Sequence, residues 1–198
     1  MALTKLNNKA VANVSTLPVA LGDMVLVSSA TASASATIDF TLGSYKEYQF
    51  YFVNIHPATD DAHFQFNLST DSGSNYNVTK TSSFFQANHN EADTAASVAY
   101  NTQNDLAQST TYQVLAANNG IGNGADESFA GSMSLFNPAS TTFVKHFIST
   151  NVYYLSADYV INTYIAGYAN TTSALTNIRF KMSSGNIDAG TILMYGIN

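Results

Sequence analysis

The four histidines of this chain are the first residues whose types and spacing could do chemistry. His56 and His63 flank Asp60 and Asp61, so two imidazoles and two carboxylates could meet across the mouth of one hairpin. Such groups are competent zinc or manganese ligands. The spacing matches no established site, and a turn between strands favours Pro57 and the two aspartates for its own reasons. The favoured reading is a polar hairpin whose side chains make surface contacts. His89 with Glu91 and Asp93 reads the same way, as a polar loop. His146 sits among Phe143 and Phe147 in an alternating stretch and reads as a hydrogen-bonded sheet residue.

Other motifs are weaker. Asp71-Ser72-Gly73-Ser74-Asn75 offers oxygen ligands but lacks the alternating acids and closing glutamate of a calcium loop, so a tight hairpin is expected. Gly120-x-Gly122-x-Gly124 is not a nucleotide fingerprint, because no strand precedes it and no helix follows. No serine has a nucleophile-elbow setting. A glycosidase needs two opposed carboxylates, and the three glutamates offer no good pair. Tyr153, Tyr154, Tyr159, Tyr164 and Tyr168 crowd one stretch. Flat aromatic faces bordered by Asn and Asp bind sugars or proteins at low entropic cost, and they also fill cores or symmetric interfaces. Filling is preferred, with Tyr153, Tyr154 and Tyr159 kept as surface contacts. No cofactor and no metal is called for, and the expectation is that the chain is not an enzyme.

Whatever these side chains do, strands must position them. Phe64, Phe66 and Leu68 alternate with His63, Gln65 and Asn67; Ile178, Phe180 and Met182 alternate with Asn177, Arg179 and Lys181. Only a strand sends successive side chains to opposite faces. The pattern predicts a short buried strand at Met24–Val27, then a half-buried one at Ile38–Leu42. A central strand covered on both faces is expected at Tyr48–Ile55, then Phe64–Leu68 and Tyr76–Thr81. Residues 86–127 are the least regular third, with a short strand near Tyr112–Leu115 and at most a short helix near Asn101–Ala107. Further strands follow from Glu127 to Leu135 and over Thr142–Thr150, Tyr159–Tyr168, Leu175–Met182 and Thr191–Ile197. Eight to ten strands without helices to cross between them imply antiparallel sheets. The expected fold is all-β: an antiparallel two-sheet β-sandwich, jelly-roll-like. Residues 1–22 read as an extended anchoring arm, and 23–198 as a single domain.

Composition narrows the function classes. Hydrophobic residues make up 45% of the 198, ample for a core, while charged residues are 10%. Average soluble proteins carry about 25%. Ser, Thr and Asn form about a third of the chain and must cover most of its surface. Low charge is a property of interface cores, so burial against copies of itself is the preferred explanation. The net charge is −6 and Arg179 is the only arginine, which argues against nucleic acid as a partner. Without cysteine there is no disulfide framework and no thiolate. No apolar run is long enough to span a membrane and no signal peptide is evident, so no membrane insertion is expected. The Asn-x-Ser/Thr triplets at Asn13, Asn67, Asn77 and Asn170 are then composition rather than glycosylation sites.

Three stretches recur together in one family: Met1-Ala2-Leu3-Thr4-Lys5-Leu6-Asn7-Asn8, the hairpin Phe136-Asn137-Pro138-Ala139-Ser140-Thr141-Thr142-Phe143, and the end from Ser183-Ser184-Gly185-Asn186 through Gly190-Thr191-Ile192-Leu193-Met194-Tyr195-Gly196-Ile197. In these the chain resembles virion structural proteins of marine tailed bacteriophages, over most of its length and including Phe66 to Tyr76. The resemblance implies a β-rich module on the particle surface, in a tail fibre or appendage or as a capsid decoration. It offers no catalytic residues to carry over. The chain lacks a heptad shaft, a Gly-x-y stalk and any long repeat, so a compact knob is implied. The resulting expectation is a homotrimer in the virion, made in the host cytoplasm. Its arm 1–22 would hold other virion proteins, and loops 56–63, 86–95 and 118–126 would present contacts. The alternative is a carbohydrate-binding module for host surface glycan.

Overall fold

The computed structural model describes residues 24–117 and 120–198. They form twelve strands: β1 (Val25–Thr31), β2 (Ile38–Thr41), β3 (Glu47–Pro57), β4 (Phe64–Ser69), β5 (Lys80–Asn90), β6 (Ala96–Tyr100), β7 (Gln113–Val114), β8 (Phe129–Phe136), β9 (Lys145–Leu155), β10 (Tyr159–Ala169), β11 (Asn177–Met182) and β12 (Ile187–Ile197). The anchoring arm expected over 1–22 lies outside the described residues. All pairings are antiparallel, in an eight-stranded sheet ordered β1-β12-β3-β8-β9-β10-β5-β6 and a four-stranded sheet ordered β2-β11-β4-β7.

Setting aside β5, β6, β9 and β10 leaves β1-β12-β3-β8 and β2-β11-β4-β7. That is the strand order of a jelly roll, eight strands shared equally between two sheets. The other four come from two hairpins, one inserted between β4 and β7 and one between β8 and β11. They pair with each other through β10 and β5, extending the larger sheet by a four-stranded wing beyond β8. The sandwich is the one expected, but with twelve strands rather than eight to ten.

Alternation decides which side chains meet between the sheets. Phe50 and Phe52 of β3 point down onto Phe64 and Phe66 of β4 and Phe180 of β11, all buried. Phe180 is the hub, with ring centroids 5.3–6.3 Å from Phe50, Phe52, Phe66, Phe64 and Phe40. Edge-to-face packing dominates, as the aromatic quadrupole favours. A bulge interrupts β3 and β12 where Asn54 (φ 51°) faces Gly190 (φ 108°). A Cβ on Gly190 would lie 2.4 Å from the Asn54 carbonyl oxygen, so only glycine fits that close approach.

Several expectations need correction. The stretch 101–107 is turn and coil rather than helix, because Asn101 Oδ1 accepts the amides of Gln103 and Asn104. Such local capping competes with helical hydrogen bonds. The third read as irregular contains the last residues of β5 and all of β6, so His89 lies on a strand and not in a loop. The strand expected from Tyr76 starts only at Lys80, and that expected over Thr142–Thr150 is β9, running on through Tyr153 and Tyr154 to Leu155. β1 is an exposed edge strand, not a buried one, with Val25, Leu26 and Val27 open to solvent. β3 is covered on one face only, leaving Tyr51 and Val53 outside.

Candidate functional site

The wing mixes polar and apolar side chains on both faces, with Phe84, Phe147, Ile161 and Ile165 buried beside polar groups. In β9 the inward positions include Lys145, Ser149 and Asn151, while Ile148 and Val152 point outward. The inward polar groups are possible because the segment 101–117, which includes β7, roofs them with hydrogen-bond partners. Thr163 donates to the Leu115 carbonyl at 2.9 Å, Ser82 donates to Gln113 at 2.6 Å, and Tyr153 donates its hydroxyl to the Ala117 carbonyl at 2.5 Å. Among the described residues no buried side-chain nitrogen or oxygen lacks a partner. Buried polar groups are tolerated only on that condition.

The outer face of the wing carries apolar residues as well. Strand register lines them up in rows: Ile148–Ala166–Ser83, Thr150–Tyr164–Phe85–Tyr100, Val152–Asn162–Ala87–Val98 and Tyr154–Val160–His89–Ala96. Phe85 and Tyr164 stack with centroids 4.9 Å apart and planes 12° off parallel. Val98 is 77% exposed on the edge strand. Two shallow apolar hollows pit this surface. One of about 190 Å³ lies among Phe85, Ile148, Tyr164 and Ala166, and one of about 250 Å³ among Ala130, Val152, Tyr154 and Val160.

The rows continue across β8, β3 and β12 through Ala130, Ser132, Ser134, Tyr51, Leu193 and Tyr195. The carboxylates among the outward residues of this sheet are Glu47 and Asp188, both off the wing, and no lysine or arginine points outward from it. The outer face of the small sheet is the opposite. There Arg179 holds Asp39 through two hydrogen bonds of 2.6 and 2.8 Å, stacks over Tyr76 at 4.1 Å, and has Lys181 two positions along. Burial and the neighbouring Asp39 push the Tyr76 hydroxyl up to about 12. One face is wet and charged; the other is bare.

The histidines and aspartates named from the sequence do not converge. His63 Nδ1 bonds the Ala116 carbonyl at 2.8 Å, Asp60 accepts the Asn123 amide, and Asp61 accepts the Ser156 hydroxyl. His56 turns instead to Asp188, a partner 132 residues away that no local spacing could reveal. Among the described residues no group of three or more His, Cys, Asp or Glu is placed to hold a metal. Asp71 accepts from Ser69 and Asn75, bonds that hold it at about 2 and build the tight turn expected there. His89 meets only Asp93, at 3.1 Å. His146 lies on β9 as expected and faces outward beside the Tyr168 ring. Tyr153, offered as a surface contact, is 2% exposed and belongs to the core, because it shares inward parity with Phe147. Tyr154 and Tyr159 are half-buried; Tyr154 donates to Asp158 and Glu91. The outward aromatics that the sequence reading did not single out are Phe85 on β5 and Tyr100 on β6.

No family model, no curated protein and no solved structure matches this chain. The jelly-roll order therefore rests on the strand pairing itself, and the reading of the bare face on its chemistry.

His56 does make one titratable contact. Its Nδ1 lies 2.7 Å from Asp188 Oδ1 and its Nε2 lies 3.0 Å from the Gly124 carbonyl. Both partners only accept, so both ring nitrogens carry protons when both bonds are made. Burial opposes that charge, but Asp188, the Gly124 carbonyl and Glu127 outweigh it and raise the pKa above 6.5. A raised histidine pKa gives stability that is full below the unfolded value and fades as pH rises through the folded one. Melting temperatures of the protein should thus fall between about pH 6 and about pH 8, and the His56→Phe variant should lose that slope. An unchanged slope in the variant would show that His56 is not the titrating group.

Proposed function

We propose that this chain is a non-enzymatic structural module of a tailed-phage virion. It works as a homotrimer in a tail fibre or appendage or as a capsid decoration. The observation that carries the reading is the bare outer face of the eight-stranded sheet. At about 4.8 Å between strands and 3.3 Å per residue, that face covers on the order of 1,000 Å². Its outward rows set Val, Ile, Phe and Tyr among Ser, Thr and Asn with almost no charge, and depletion of charge is what marks the core of an interface. A stable interface takes roughly 800 Å² from each partner, so a face of this extent is large enough to be the contact between sister copies around a three-fold axis. The sequence resemblance to phage virion proteins supplies the setting, and the arm 1–22 is the proposed attachment to other virion proteins.

Light scattering on the purified chain should give three times 21.2 kDa, and antibody raised against it should decorate intact particles in electron micrographs. A stable monomer at micromolar concentration, or particles that stay unlabelled, would overturn the proposal. A second reading, a module binding host surface glycan, draws on the exposed row Tyr164–Phe85–Tyr100. Retention on a glycan array that Tyr100→Ala abolishes would favour it.

A further inference from the structure

Lys80 and Asn67 form the most unusual pair in the molecule. Both side chains are 0% exposed, one at the start of β5 in the wing and the other on β4 of the small sheet. Lys80 Nζ lies 2.5 Å from Asn67 Oδ1 and 2.8 Å from the Val78 carbonyl. No carboxylate is among its partners, so nothing nearby neutralises an ammonium. Burial without a counter-charge lowers the Lys80 pKa to about 7, which leaves a substantial fraction as the free amine at neutral pH.

Asn67 is held as an electrophile. Its amide nitrogen donates to the Tyr76 and Thr110 carbonyls at 2.7 and 3.0 Å, which fixes the oxygen on the Lys80 side. That oxygen also accepts the Leu68 amide at 2.9 Å. With a C=O bond of about 1.23 Å, Cγ can be no more than about 3.7 Å from Nζ, at the border of attack distance. Lys145, the other fully buried lysine among the described residues, offers a contrast: it reaches the backbone carbonyls of Thr171 and Ser173. Only Lys80 is presented with a side-chain carbonyl.

We propose that Lys80 and Asn67 condense into an intramolecular isopeptide bond that staples the wing to the small sheet. The Nζ lone pair attacks Cγ, forming the N–C bond while the carbonyl pair moves onto Oδ1, where the Leu68 amide stabilises it. Collapse breaks the Cγ–Nδ2 bond. A proton passes from Nζ to Nδ2, which leaves as ammonia, and Lys80 keeps one proton as a secondary amide. Exclusion of water from both side chains removes hydrolysis as a competitor.

Mass spectrometry of the intact wild-type chain tests this. The expected mass falls short of the encoded one by a single ammonia, and cleavage before Asp71 yields one branched peptide containing both Asn67 and Lys80. Asn67→Ala and Lys80→Met should each restore the full encoded mass of their own sequence. An undiminished wild-type mass overturns the proposal. So does an ammonia deficit that leaves two separate peptides after cleavage, since that marks a succinimide at Asn67.

Discussion

Truncating Phe180 to alanine is expected to lower the unfolding free energy by about 3–5 kcal/mol, a large share of what a domain of this size holds. The reason is position as well as size. Phe180 sits between the sheets, where rings from β2, β3 and β4 all lean on it. Removing it takes away the transfer energy of one ring and leaves a void bordered by other rings. Rigid aromatic walls collapse poorly into such a space, so the cavity term stays near its full value. Urea denaturation followed by tyrosine fluorescence reads the change directly, with Phe180→Leu recovering part of the loss. A shift of less than about 1 kcal/mol would show that the two sheets do not close on this ring.

The second large effect concerns assembly. Val152→Glu should dissociate the oligomer while leaving the folded subunit intact. Val152 is outward and half in solvent, so the single chain tolerates a carboxylate there at a cost within about 0.5 kcal/mol. Pressed against a copy of the same face, that carboxylate would find no cation, because the wing presents no lysine or arginine outward. An unpaired charge buried in this way costs about 3–5 kcal/mol, which weakens association by roughly two to four orders of magnitude. Sedimentation equilibrium should therefore report 21.2 kDa for the variant. Thr41→Glu, on the charged face of the small sheet, is the control and should leave the mass of the assembly unchanged. If both variants behave alike, the bare face is not the contact.

Much of the sandwich was legible because its central strands obey simple alternation. Phe64-Phe66-Leu68 and Ile178-Phe180-Met182 put apolar residues on one parity and pair in register, as the pattern implied. The wing was less legible for a physical reason. Alternation identifies the buried face only when apolar residues keep to one parity, and in β9 and β10 Ser149, Asn151 and Thr163 are inside with Phe147, Ile161 and Ile165 while Val152 and Val160 are out. Parity was visible there; its sign was not. β6 has no signal of either kind, since all five of its residues are exposed. The His56–Asp188 pair was out of reach as well, because it depends on β12 lying beside β3 and not on any spacing along the chain.

The position of β12 has a consequence for how the protein is made. It is the last strand in sequence, yet it lies between β1 and β3, near one end of the large sheet. While a ribosome is still producing the preceding residues, those two strands have no neighbour to bond on their facing sides. Open strand edges at that stage invite pairing with other nascent chains. Closure waits for residues 187–197, so the sheet completes late, over contacts spanning nearly the whole described chain. Slow folding is the expected outcome of that arrangement.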